Sequence, residues 1–433
     1  MPARPLRWQP LLLAALASLM LVLGSCSDSR APREGELALR LWHGINPPAN
    51  REVFERLVER FNRRQPDLRV EPRYLGQPSD QLPKILTAIV GEATPDLLWF
   101  APQITGQLVA LGAIRPLDEW LARTGLRERI EPALLESMQL DGRSWSVPLG
   151  TNNAAIFYRP SLFEQAGIEQ PPQTWAELRQ VARRLTRDRD GDGTPEQYGL
   201  LLSLGQNEWT VFAWLPFVYA AGGELVDADG EPQLVDPGTA EALQFGVDLV
   251  AQDWATLSPP NRGFLLEGFL TGRAAMQVTG PWTLRQLRQS DVDYDAFPFP
   301  ARQQQAAVVG GENLFAFQST PERERAALRF LEFVLSDEFQ IEWARETGYL
   351  PVTTTARQSE AYREVVRENP VLNIFLQQMG WARSRPIRAG YARISKHFGR
   401  AIEASLLGQA EPGEALADAQ AHLELMLDPA GRD

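Results

Sequence analysis

The chain has 433 residues, 44% of them hydrophobic and 23% charged, with 55 acids against 43 bases and a net charge of −12. That length is more than one core fills, so two domains are expected. The acidic balance speaks against a nucleic-acid partner, because phosphate binding needs a positive field.

In chain order, Arg4 and Arg7 precede an uncharged apolar run, 11–23, which ends in Leu23-Gly24-Ser25-Cys26. A basic start, a short apolar core and small residues before a cut site describe a secretory signal over 1–25. The run is shorter than the roughly 20 residues that a spanning helix needs. Residues 26–36 are polar, with Pro and Gly, and read as a tether.

Strand and helix patterns then alternate. Residues 37–41 alternate as a strand, and 50–62 carry apolar residues at helical spacing. A strand at 68–74, a helix at 82–90 and a short apolar strand at 96–100 follow. This order predicts an α/β fold with a parallel sheet. Ligands of such sheets sit beyond the carboxyl ends of the strands, which puts His43, Asn46 and Gln103 at a candidate mouth. Residues 145–158 run strand, Pro/Gly turn, strand, and are expected to cross between domains. Beyond them, Thr174 caps a helix over 175–187, and helices are expected at 208–221, 238–251, 264–271 and 281–290. Strands are expected at 274–279, 294–299 and within 308–317. Helices at 321–335, 337–346 and 357–368, with two more near the C-terminus, complete the chain.

Four constellations carry chemistry. Asp188, Asp190, Asp192 and Thr194 match the first half of a calcium loop, but Gly199 stands at the twelfth position in place of Glu. A structural calcium and a polar turn both remain open there. Trp209 and Trp214 lie five apart on one helix, so one is expected at a ligand surface and the other in the core. Trp282 follows a Gly-Pro turn at a strand end, a position suited to a cleft. Gly311, Glu312 and Asn313 follow an apolar strand, and Asn152 and Asn153 place amides at the crossing, where each can donate and accept.

Twelve Trp lean towards carbohydrate, whose C–H faces lie flat on aromatic rings. Three His and a single Cys leave little for a zinc site or a Ser-His-Asp triad and permit no disulfide within the chain. No nucleophile elbow or P-loop occurs.

Several segments together resemble the family 1 extracellular solute-binding proteins of bacterial ABC importers, the group of the maltose- and glycerol-3-phosphate-binding proteins. They are TPDLLWF, VPLGTNNAAIFYRPSLFEQAGI, PPQTWAELRQVARRLT, FLTGRAAMQVTGPW, VVGGENL and ETGYLPVT, in that order. LGSC likewise resembles a lipobox, which implies a lipid on Cys26 and an exported, membrane-anchored protein in the periplasm or at the cell surface. The resemblance implies a two-lobed periplasmic binding protein fold, type II-like, with the ligand cleft between the lobes. The expected lobes are 37–146 with 310–346, and 147–309 with 347–433. The resemblance further implies a monomer with no catalysis and no required cofactor, a sugar ligand, and ABC permease subunits as partners. Carried over by position, it implies ligand contacts at Gln103, Trp282, Tyr349, Gly311 and Asn152. The glycerol-3-phosphate branch has a phosphate-binding Arg near the C-terminus. Here that position is Ser395, with Arg393 two residues away, and Pro78 replaces a Tyr of that branch. A neutral disaccharide, oligosaccharide or glycosyl-glycerol therefore fits better than glycerol 3-phosphate or a glycerophosphodiester. A secreted glycosidase is a third reading.

Overall fold

The structure is a computed structural model that describes residues 35–427, apart from 77 and 389. The signal, Cys26 and most of the tether lie outside the described residues.

Two five-stranded sheets organise the chain. The first has the order Leu68–Tyr74, Leu37–His43, Leu97–Phe100, Asn313–Ala316, Val147–Pro148. Its first three strands are parallel, and Asn313–Ala316 runs antiparallel to both neighbours. The parallel strands are joined by the helices Pro48–Arg64 and Pro78–Val90. On the first helix, Val53, Phe54, Leu57, Val58 and Phe61 are buried, the face that the spacing predicts. The second sheet has the order Asp295–Phe297, Ala155–Tyr158, Ala274–Thr279, Tyr198–Leu202, Ala255–Leu257. Ala274–Thr279 is buried at every position, including its polar residues Gln277 and Thr279.

The chain passes between the sheets where the sequence pattern breaks. Val147–Pro148 belongs to the first sheet and Ala155–Tyr158 to the second, so residues 149–154 cross. Residues 298–312 return, and 348–390 cross again through a two-stranded ribbon, Ala307–Val308 with Ala382–Arg383. At the crossings, bridges link Thr151 to Leu350 and Asn152 to Gly310. One large apolar cluster lies under the first sheet and takes in Ala155, Phe157 and Ala296 of the second, another lies against the second sheet, and a smaller one gathers Leu98, Phe100 and Phe315; Trp282 packs against the two large ones. Residues 349–379 pack with the first cluster, while Phe375 also meets Phe157 of the second sheet, with centroids 6.0 Å apart.

Local chemistry sets the boundaries. Thr174 and Glu177 form a capping box at the start of Trp175–Leu185, a device that contributes about 1 kcal/mol. The helix expected over 357–368 is two helices, Thr354–Gln358 and Glu360–Glu368. Ser359 ends the first and caps the second, its hydroxyl accepting from the Tyr362 amide. The helix expected over 264–271 shrinks to Glu267–Leu270, because Asn261 and Arg262 close turns on Leu204 and Pro259 before it. Among the described residues no helix is long and apolar enough to cross a membrane.

Candidate functional site

A narrow crevice opens where the crossing segments meet the first sheet. Gln103, Gly150, Thr151, Gly311, Ser384 and Arg385 help to line it. Gln103 reaches it from the turn after Leu97–Phe100, at the carboxyl end of a parallel strand. Gly311 has a φ of +105°, and a Cβ there would lie 2.3 Å from the Gly150 carbonyl oxygen. A Cβ on Gly310 would lie 2.1 Å from Asn152 Oδ1. The glycine pair therefore lets two crossing strands touch. The Gly310 N–H is not free for a ligand, since it donates to the Asn152 carbonyl at 2.7 Å.

An aromatic cluster reaches the crevice through Phe212, whose ring would lie 3.0 Å from a Cβ on Gly310. Trp209 and Trp282 meet edge to face at 5.7 Å and 89°, and Phe212 lies 5.8 Å from Trp209 and 6.4 Å from Trp282. The Arg385 guanidinium sits 5.0 Å from the Phe212 centroid and ties this cluster to the crevice. Trp209 and Trp282 are each partly exposed, whereas Trp214 is core and donates its indole N–H to the Ser203 carbonyl at 2.9 Å. Trp209 anchors its own indole on Ser203 Oγ at 3.2 Å.

The polar groups divide into committed and uncommitted. Arg385 is buried and pairs with Glu208 Oε1 at 2.6 Å. Glu208 also accepts from Tyr391 at 2.9 Å and from the Ser395 hydroxyl. Gln103 Oε1, Glu312 Oε2, Ser384 Oγ and Arg385 Nε are buried without a partner. Burial raises the Glu312 carboxyl to about 7, while Arg385 pulls it back. Burial also pushes the Tyr349 hydroxyl well up. Glu312 adds to that shift, and a hydrogen bond with Asn152 opposes it.

Of the remaining expected site residues, Asn313 lines the crevice and the others fall elsewhere. His43 is fully buried at the end of its strand, edge to face with Phe54 at 5.3 Å, and burial and then Arg51 lower it to about 4. It is a neutral core group with Nε2 unpartnered. Asn46 donates to the Tyr74 hydroxyl at 2.9 Å, and Arg51 covers that ring at 3.5 Å from its centroid. Asn153 is no free amide. It donates to the Phe375 carbonyl at 2.9 Å and accepts from Gln378 at 2.8 Å, fastening a helix to the crossing. Asn313 is buried and donates to the Ser137 carbonyl and to Ser146 Oγ, at 2.9 and 2.8 Å. Arg393 is corrected too. Tyr391, Ile394, Ser395 and Phe398 form the inner face of helix Tyr391–Leu406, so Arg393 points outward and donates to the Met426 carbonyl at 3.0 Å.

In the acidic loop, the carboxylates that come within 4.8 Å of one another are those of Asp188, Asp190 and Glu196, not the expected set with Asp192 and Thr194. Backbone amides of Gly191 and Gly193 donate to Asp188. Those of Asp192 and Thr194 donate to Asp190 and Asp192, so the loop closes on its own N–H groups. A side chain cannot stand at the twelfth position, because a Cβ on Gly199 would lie 2.1 Å from the Ala182 carbonyl.

Arg385, Glu208 and Ser384 carry no signal of their own in the sequence. Arg385 is one of four arginines within residues 383–393, and its partner Glu208 is 177 residues away.

Two sheets joined by crossing strands, with aromatic faces and unpaired polar atoms at the junction, define a two-lobed solute-binding protein. The model of the bacterial extracellular solute-binding proteins matches residues 56–367, and the chain belongs to that family. It is 24% identical over 402 residues to the sn-glycerol-3-phosphate-binding periplasmic protein UgpB of Escherichia coli, covering 87% of this chain and 86% of that one. It is 24% identical over 356 residues to the maltotriose-binding protein of Pyrococcus abyssi, covering 80% and 72%. Among solved structures, the cyclic alpha-maltosyl-1,6-maltose binding protein of Arthrobacter globiformis matches with a TM-score of 0.77 and 27% identity, over 91% of this chain and 99% of that one. The family binds solutes, and the chain is a binding protein rather than an enzyme.

Proposed function

We propose that this chain is the lipid-anchored solute-binding component of an ABC importer, capturing a neutral sugar between its lobes and delivering it to a permease. The observation that carries the ligand class is the presence of partly exposed Trp209 and Trp282 near buried, unpartnered Gln103 Oε1, Glu312 Oε2 and Ser384 Oγ. A pyranose offers both halves of the complement, C–H faces for the indoles and hydroxyls for the polar atoms. Lobe ranges of 37–146 with 310–346, and 147–309 with 347–433, would place both lobes in contact with it. Cys26 would then hold the trap near its permease.

A second reading, glycerol 3-phosphate or a phosphodiester, draws on Arg385 in the crevice and on the relative of that name. It is weaker because Arg385 already pairs with Glu208, and Arg393 faces away. Calorimetric titration of the purified protein with maltose, maltotriose, a glucosyl-glycerol and glycerol 3-phosphate separates the two readings. Binding of glycerol 3-phosphate alone would overturn the neutral-sugar reading.

Within that assay, Trp282→Ala is expected to weaken sugar binding by about 1–3 kcal/mol and leave the fold intact. An unchanged affinity would remove Trp282 from the site.

A further inference from the structure

We infer that Glu312 sets the ligand charge that the crevice accepts and couples ligand capture to proton release. The inference rests on the solute-binding reading above and adds a regulation of that site.

Geometry fixes the carboxyl in place. Glu312 follows Gly311, whose positive φ and contact with Gly150 leave the backbone little choice of course. The Glu312 carbonyl accepts from the Leu149 amide at 3.0 Å, so the residue is tied down at a crossing. Its neighbours Gly311 and Asn313 line the crevice, and its Oε2 is buried without a partner. Arg385, from the segment after Ala382–Arg383, and Tyr349, from the turn after Asp337–Thr347, are the titratable groups that act on it. Beyond Arg385 stands Glu208, at the start of Glu208–Ala220, which Tyr391 also holds.

The charges do not balance when every group is ionised. Two carboxylates, Glu208 and Glu312, then share one guanidinium, and Glu208 holds the direct contact. Protonation of Glu312 restores neutrality, and burial brings that event to about pH 7. A neutral polyol donates hydroxyls to a carboxylate and favours its ionised form, so the Glu312 pKa falls on binding and a proton leaves for solvent. The charge of an anion is repelled by the carboxylate, so an anion binds more tightly when Glu312 is protonated. Affinity for a neutral polyol therefore rises with pH through about 7, and affinity for an anion falls over the same range.

The probes are maltotriose and glycerol 3-phosphate, titrated by calorimetry from about pH 5.5 to about pH 8.5 in buffers of differing ionisation enthalpy. For wild type, maltotriose affinity is expected to rise roughly tenfold across that range, the equivalent of one pKa unit, with a buffer-dependent heat near pH 7. Glu312→Gln is expected to flatten the profile and to strengthen glycerol 3-phosphate binding at the alkaline end. A wild-type slope retained in Glu312→Gln, or a heat that is independent of buffer near pH 7, would overturn the inference while leaving the solute-binding reading intact. Failure of both probes to bind would instead count against that reading for these ligands. Carbon-13 NMR of glutamate-labelled protein then decides the gate by itself. A carboxyl resonance that titrates near neutrality and vanishes in Glu312→Gln supports it, and the absence of such a resonance sinks it.

Discussion

Arg385→Met is expected to destabilise the protein by about 2–4 kcal/mol, measured by urea unfolding at pH 7. Arg385 is 6% exposed and its guanidinium meets Glu208 at 2.6 Å, so its removal strips a partly buried carboxylate of its counter-charge. The loss falls at the lower end of the range for a buried pair, because the Glu208 side chain keeps 34% of its surface in solvent and retains Tyr391 and Ser395 as donors. The methionine stem still covers Phe212, which separates lost charge from lost packing. A double variant, Arg385→Met with Glu208→Gln, is expected to recover part of the loss, since neither half of the pair is then stranded. A single-variant change below about 1 kcal/mol, or no recovery in the double variant, would show that the pair does not hold the junction together.

The same pair marks the limit of what sequence pattern reveals. Elements were legible wherever periodicity was strong. Leu68–Tyr74 and Ala274–Thr279 have the expected bounds, and Pro48–Arg64 extends its expected helix by two residues at each end. Pro47 and Pro48 allow that early start, because Pro suits the first helical turn. The crossing at 149–154 was legible because a Pro/Gly turn interrupts two apolar strands. Side-chain roles were less so. Asn152 and Asn153 are adjacent and chemically identical, yet one faces Tyr349 across the crossing and the other fastens a helix through Phe375 and Gln378. Only the alternation of a nearly extended segment separates them, and the partners that fix each role lie about 200 residues on. Arg393 and Arg385 differ in the same way. Helical phase turns Arg393 outward, and the turn after a two-residue strand turns Arg385 inward. His43 illustrates a third case. A strand end at the mouth of a parallel sheet is a sound place to expect a ligand contact, but Phe54 and Tyr74 pack over this imidazole.

Gly311→Ala tests the junction itself, and its expected cost is about 2–6 kcal/mol. One part is backbone strain, about 1–3 kcal/mol, because φ is +105° and a Cβ is disfavoured there whatever the space. The other part is overpacking, again about 1–3 kcal/mol, because the new methyl would meet the Gly150 carbonyl oxygen at 2.3 Å. That oxygen belongs to a backbone held by the Thr151–Leu350 and Asn152–Gly310 bridges, so it cannot swing aside as a side-chain tip would. Gly408→Ala provides the matched control. Its φ is +64° and nothing lies within 4 Å of its Cβ position, so it should lose only the left-handed backbone term, about 1–2 kcal/mol. Both variants are compared with wild type by urea unfolding, and both are titrated with the sugar that wild type binds. Gly311→Ala is expected to lose affinity even in its folded fraction, because separating the crossing strands displaces Glu312 by way of its hydrogen bond to Leu149. Gly408→Ala should bind as wild type does, since it ends a helix remote from the crevice. Equal losses of stability in the two variants would mean that the strands can part without cost. The glycine pair would then be a simple turn rather than the contact that brings the two lobes together at the ligand.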